Sequence, residues 1–61
     1  MSSSEKAVRL LKKLAMAPYE YRLSELSAFI DCAKSGTHKL LQVLVAEGLA
    51  EQKADKRYRL G

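Results

Sequence analysis

The sequence predicts a mainly α-helical fold with a small β-hairpin, and three observations support this prediction. Apolar residues recur at helical spacing in three successive segments. Turn-forming residues separate these segments, and two short runs near the C-terminus alternate between apolar and charged side chains. A chain of 61 residues can form one small core, so residues 1–61 are expected to be a single domain. Helix, short strand, helix, turn, helix and hairpin is the order of a winged helix-turn-helix.

The first helix is predicted over the segment SSSEKAVRLLKKLAMAP. Ser2 with Glu5 three residues later fits a capping box, although Ser3 or Ser4 could cap the helix instead. Pro18 is expected to end the helix, because the residue before a proline is pushed out of the α region. The expected core face of this helix is Ala7, Val8, Leu11, Leu14 and Ala15.

The segment YEYRL alternates in character and predicts a short strand or an extended link, with Tyr19 and Tyr21 packing over the core. Ser24 is the expected N-cap of a short second helix, SELSAFID. A turn over residues 31–33 follows, in which Cys32 is expected to be a small apolar residue. The apolar stripe of the second helix is Leu26, Phe29 and Ile30.

The third helix is expected to begin near Lys34 or Ser35 and to end before Gly48, which suits the left-handed position after a helix. A turn of about 100° per residue separates two faces. The face toward the core is Thr37, Leu40, Leu41 and Leu44. The opposite face is Ser35, His38, Lys39, Gln42 and Ala46. A merely solvated face usually consists of Glu and Lys, so short hydrogen-bonding side chains here indicate a binding surface.

The runs LAEQ and RYRL predict two strands joined by the loop KADK. Tyr58 and Leu60 are expected to face inward, because side chains alternate between the two faces of a strand. The two strands and their loop form the wing. Its outward-facing cations are Lys53, Lys56, Arg57 and Arg59.

Eleven Lys and Arg against seven Asp and Glu give a net charge of +4 and a pI near 9.5. A basic chain of this size predicts an anionic partner, nucleic acid first and a membrane surface second. The size argues against an enzyme with its own cleft. One His and one Cys cannot complete a structural zinc site, and no metal or cofactor is expected.

The only cysteine fits a reducing cytosol, and MSSSEK lacks the apolar core of a signal peptide. No apolar run approaches the roughly 18 residues of a membrane span. The sequence therefore predicts a cytoplasmic protein.

A helix-turn-helix inserts its second helix, here the third of the chain, into the major groove of DNA. Lys39 would donate to guanine O6 and N7, and Gln42 would pair with adenine N6 and N7. Wing cations would reach the flanking backbone, and the start of the second helix would hold a phosphate on the other side. The expected DNA-contacting residues are Arg22, Ser24, Lys34, Ser35, Gly36, Thr37, His38, Lys39, Gln42, Lys53, Lys56, Arg57 and Arg59.

Four segments, AVRLLKKLA, LSEL, KSGTHKLLQVLVAEGLAEQ and YRLG, together resemble the N-terminal DNA-binding domain of the isocitrate-lyase-regulator (IclR) family of bacterial transcription factors. The family pattern near the third helix resembles leucine-proline-lysine-serine-threonine-x-histidine-arginine-leucine-leucine, and residues 32–41 occupy those places. The chain departs from it at Ala33 for proline, Gly36 for threonine and Lys39 for arginine. Asp31 also stands where the turn usually has glycine.

The resemblance implies a repressor or activator that works as a homodimer on near-palindromic operators. It also implies a C-terminal domain that binds a small-molecule effector, joined by a linker helix, so this chain would be a fragment without it. Leu10 and Ala17 are candidates for a dimer contact, although Leu10 could equally extend the core. The alternative function is a winged-helix protein–protein interaction module, which would favour an apolar or acidic face on the third helix.

Overall fold

The computed structural model describes residues 2–61 and contains three helices and three short strands. The helices are α1 (Ser3–Leu14), α2 (Leu23–Phe29) and α3 (Lys34–Ala46). The strands are β1 (Glu20–Tyr21), β2 (Ala50–Gln52) and β3 (Tyr58–Leu60), and they form one antiparallel sheet in the order β1-β3-β2. The predicted winged fold is confirmed, and YEYRL supplies a third strand rather than an extended link.

Helix α1 begins where the sequence predicts and ends earlier. The Ser2 hydroxyl oxygen accepts a hydrogen bond from the Glu5 backbone N–H at 3.3 Å, which identifies Ser2 as the N-cap. The last helical residue is Leu14, so the prediction that the helix runs up to Pro18 was wrong.

A buried tyrosine holds the turn that follows α1. The Tyr21 hydroxyl lies 2.8 Å from the Met16 carbonyl oxygen and 2.7 Å from that of Ala17, and it donates its single proton between them. Tyr21 itself is only 5% exposed. This contact with β1 satisfies carbonyl groups just beyond the helix, where they have no helical partner. Tyr19, in contrast, is 61% exposed, so the expectation that it packs over the core was wrong.

The core face of α1 differs from the predicted one. Leu10 and Leu14 are completely buried, whereas Val8 is 54% exposed and Ala15 is also exposed. The buried stripe is centred on Leu10 and Leu14 because α1 packs against both α3 and β3, which lie on that side. Of the two roles considered for Leu10, a dimer contact or a core residue, the structure confirms the core residue. Ala17, the other candidate for a dimer contact, is exposed.

Helix α2 begins two residues earlier than predicted. Arg22 is the N-cap, and its backbone N–H donates to the Glu25 carboxylate at 2.8 Å. The guanidinium of Arg22 has no acceptor atom, so Glu25 supplies this side-chain cap. Ser24, predicted as the N-cap, instead lies inside the first turn. The buried residues Leu26 and Ile30 confirm the predicted apolar stripe.

Helix α3 follows the sequence prediction closely. It starts at Lys34 and is closed by Gly48, whose φ of 76° is the left-handed conformation that glycine adopts without strain. The Leu49 N–H donates to the Leu44 carbonyl at 2.9 Å, which completes a Schellman motif. The residues predicted to face the core are buried or half-buried: Thr37, Leu40, Leu41 and Leu44.

The sheet has one face toward the core and one toward solvent. Tyr21, Tyr58 and Gln52 are cross-strand neighbours in the register, and both tyrosines are buried. Burial raises the pKa of the Tyr58 hydroxyl. Leu60 remains 43% exposed, so the inward position predicted for it was only partly correct.

Candidate nucleic-acid interface

A cleft of about 340 Å³ opens between the first turn of α2, the first turns of α3 and the wing. Its lining residues are Arg22, Leu23, Ser24, Lys34, His38, Gln52, Lys56 and Tyr58. Five of these were predicted from sequence as DNA-contacting residues, and they come from three elements that are far apart in the chain. The fold therefore gathers much of the predicted site into one place.

The charge of this cleft is one-sided. Three lining residues are cations, Arg22, Lys34 and Lys56, and the described residues that line it include no carboxylate. Cations that face one cleft repel one another, and an anion bound between them relieves that repulsion. The cleft is thus suited to a phosphate-bearing ligand.

The outer face of α3 continues the cleft along the helix. Ser35, Lys39 and Gln42 are all exposed on this face. Gln42 Nε2 lies 3.1 Å from His38 Nε2, one helical turn away. Val43, which is absent from the predicted DNA-contacting residues, is 60% exposed beside them. Its position four residues after Lys39, on the same side of the helix, was the signal in the sequence that could have identified it.

Two predicted site residues lie at the back of α3. Thr37 is completely buried, and its hydroxyl donates to the Ala33 carbonyl oxygen at 3.0 Å, so its side chain has no surface to offer a ligand. At Gly36, an added Cβ atom would lie 3.0 Å from Cys32 Sγ. A side chain at this position would require the sulfur to move by a few tenths of an ångström, so Gly36 suits the close packing against Cys32. Both residues shape the start of α3.

Three of the four predicted wing cations are ion-paired on the solvent face of the sheet. Lys53 Nζ lies 2.7 Å from a Glu20 carboxylate oxygen, and Arg57 Nη1 lies 3.3 Å from the other oxygen of the same group. Arg59 pairs with Glu51 across β2 and β3. Because side chains alternate along a strand, this face lies opposite the one that carries Gln52 and Tyr58 into the cleft.

Two carboxylates beside the wing cations, those of Glu20 and Asp55, have a lowered pKa. Hydrogen bonding to Lys53 is the largest cause that lowers the pKa of Glu20, and Arg57 lowers it further. The Arg57 backbone N–H donates to Asp55 Oδ1 at 3.1 Å, and this bond is the main cause that lowers the pKa of Asp55. Both carboxyl groups are therefore ionised near neutral pH. Of the four predicted wing cations, Lys56 is the one that lines the cleft.

Gln52 and Tyr58 line the cleft and were missed as site residues. The Gln52 amide nitrogen donates to the Lys56 carbonyl oxygen at 3.2 Å and so fixes the loop that carries Lys56. Period-2 alternation already places Gln52 on the face opposite Lys53, and that pattern was the available signal.

The chain is a winged helix-turn-helix domain. It has three helices, a wing formed by β2 and β3, and a cationic cleft beside the exposed face of α3. The family model described as the IclR helix-turn-helix domain matches residues 3–54. The chain therefore belongs to the IclR helix-turn-helix family, whose members are DNA-binding, non-enzymatic transcription regulators.

The chain is also similar to a solved structure, the crystal structure of Pseudomonas aeruginosa HmgR. The two share 37% sequence identity with a TM-score of 0.85, and the match covers 97% of this chain. It covers 26% of that chain, so the present sequence spans about a quarter of the length of HmgR. No curated protein matches the sequence. Among the described residues, no helix is long and apolar enough to cross a membrane.

Proposed function

We propose that this domain reads the sequence of double-stranded DNA, with α3 in the major groove and the wing on the flanking backbone, as part of a bacterial transcription regulator acting in the cytoplasm. The observation that carries the proposal is the continuity between the cationic, carboxylate-free cleft and the exposed polar face of α3. The major groove is about 12 Å wide and admits a single helix with short or medium side chains.

The proposed contacts fall into two groups. Lys39 and Gln42, with Ser35 near the start of α3, face the base edges. Lys34, Lys56 and Arg22 hold phosphates at the cleft, with Ser24 beside Arg22 on α2. Phosphate contacts supply most of the affinity and base contacts supply the discrimination.

The remaining wing cations are proposed as secondary contacts. Lys53, Arg57 and Arg59 would have to exchange a carboxylate partner for a phosphate, and surface ion pairs are worth only about 0–1 kcal/mol, so that exchange costs little. The exchange also gains little, since each cation is already neutralised. These three residues are therefore expected to contribute less than Lys56.

Dimerisation and effector binding belong to the same proposal. A full-length homodimer would place two copies of α3 on adjacent half-sites, about one helical turn of DNA apart. Ala17, exposed after α1, is the remaining candidate from this chain for a dimer contact. A small-molecule effector would act through a further domain.

The test of the proposed function is binding to random duplex DNA at increasing salt, followed by selection of a preferred site from a random pool. A steep loss of affinity with salt and an enriched near-palindrome are the expected results, because each neutralised phosphate releases counterions. Absence of binding at low salt would overturn the proposal and favour a protein-interaction module.

Replacing Lys56 with glutamine is expected to flatten the salt dependence by about 0.9 in the slope of log affinity against log salt, the value for one lost phosphate contact. The matched control is Arg59→Gln, which removes the same charge from the ion-paired face of the wing and should change the slope less. Equal changes in both variants would contradict the assignment of the cleft as the primary phosphate site.

A further inference from the structure

His38 and Gln42 form a side-chain pair on the exposed face of α3. Their Nε2 atoms are 3.1 Å apart, and the residues are four positions apart, so the two side chains lie one above the other on the helix. His38 also lines the cleft, whereas Gln42 lies further along the same face. The pair thus bridges the phosphate-binding cleft and the base-reading surface.

The placement of the Gln42 amide nitrogen toward the imidazole ring sets the direction of this hydrogen bond. An amide nitrogen only donates, and a neutral imidazole has one donor and one acceptor nitrogen. With the amide nitrogen facing the ring, Gln42 Nε2 donates and His38 Nε2 accepts, an arrangement that requires the neutral ring with its proton on Nδ1. This assignment leaves Gln42 with one free N–H and a free Oε1, adjacent to each other at the end of the side chain.

That free edge matches one base. Adenine presents N7 as an acceptor and its N6 amino group as a donor in the major groove, so an amide oxygen and an amide N–H pair with it side by side. A glutamine side chain has several rotatable bonds, and ordering such a side chain costs rotamer entropy. A neighbour that holds the amide in advance reduces the part of this cost that falls on binding.

We propose that His38 is a positioning residue, which orients the Gln42 amide so that Gln42 reads an adenine in the major groove. The inference rests on the proposed function, since it assigns one base preference to the same face of α3. It also distinguishes His38 from a direct base or phosphate contact, the role predicted from the sequence.

The experiment compares affinities for a selected duplex and for the same duplex with each base pair changed in turn. Five proteins are measured: the natural sequence, His38→Leu, His38→Gln, Gln42→Ala and the double variant His38→Leu with Gln42→Ala. Leucine removes the acceptor, whereas glutamine at position 38 can offer an amide oxygen in its place. Circular dichroism spectra and affinity for random DNA serve as controls for folding and general binding.

The natural domain should prefer adenine at one position by about 5- to 150-fold, the range for a good bidentate pair, and Gln42→Ala should abolish that preference. His38→Leu should reduce the preference by about 2- to 10-fold, the range of one ordinary hydrogen bond. His38→Gln should restore it, and His38→Leu should have no further effect in the Gln42→Ala background.

Three results would overturn the positioning role while leaving the proposed function intact. One is an adenine preference unchanged in His38→Leu. Another is a loss from His38→Leu that persists when Gln42 is already alanine, which would make His38 a direct contact. The third is a Gln42-dependent preference for a base other than adenine. Absence of any salt-dependent DNA binding by the natural domain would instead overturn the proposed function, and this inference with it.

Discussion

Replacing Leu10 with alanine is expected to leave most of the domain unfolded at 25 °C. Leu10 is completely buried in the core cluster, together with Leu14 of the same helix and Leu41 of α3. Truncating a buried leucine costs about 2–5 kcal/mol. A core of this size rarely supplies more than about 3–5 kcal/mol, so the loss is comparable to the whole stability. Urea denaturation followed by circular dichroism measures the change.

The matched control is Val8→Ala on the opposite side of α1. Val8 is 54% exposed, and its truncation should change the free energy of unfolding by no more than about 0.5 kcal/mol. A Leu10→Ala protein with unchanged stability but altered self-association would contradict the core assignment and restore the dimer alternative.

Replacing Lys39 with alanine is expected to weaken binding to the preferred site by about 1–3 kcal/mol and to relax the preference at one base pair. Lys39 is exposed on the outer face of α3, where an ammonium group can donate to guanine O6 and N7. A lysine is a point charge rather than a planar fork, so the discrimination should lie toward the lower end of this range. Affinities for the selected site and its single-base variants measure the effect.

Lys12→Ala provides the control for loss of charge alone, because Lys12 is exposed on α1 and does not line the cleft. It should change binding to all sequences slightly and equally. If Lys39→Ala lowers affinity for every duplex by the same factor, Lys39 is a phosphate contact and its assigned role in base reading is wrong.

Local patterns were sufficient to predict the exposed polar face of α3. The polar face from Ser35 to Gln42 and the closing glycine at Gly48 depend only on residues within one helix and its cap, so periodicity and propensity determine them. The same reasoning failed on α1, where it assigned Val8 to the core and left Leu10 undecided. The apolar stripe of a helix can be centred one residue earlier or later with little change in local free energy. The elements that pack against the helix therefore decide which side is buried.

The sequence by itself determined the order of elements, the winged fold, the basic character and the polar face of α3. Only the tertiary structure decided which cations meet in the cleft and which are neutralised. Glu20 pairs with Lys53 and Arg57 across 33 and 37 positions of the chain, a contact that exists only when β1 joins the wing. The physical reason is that a cation already paired with a carboxylate gains less from a ligand phosphate, and which cations are paired depends on non-local strand pairing.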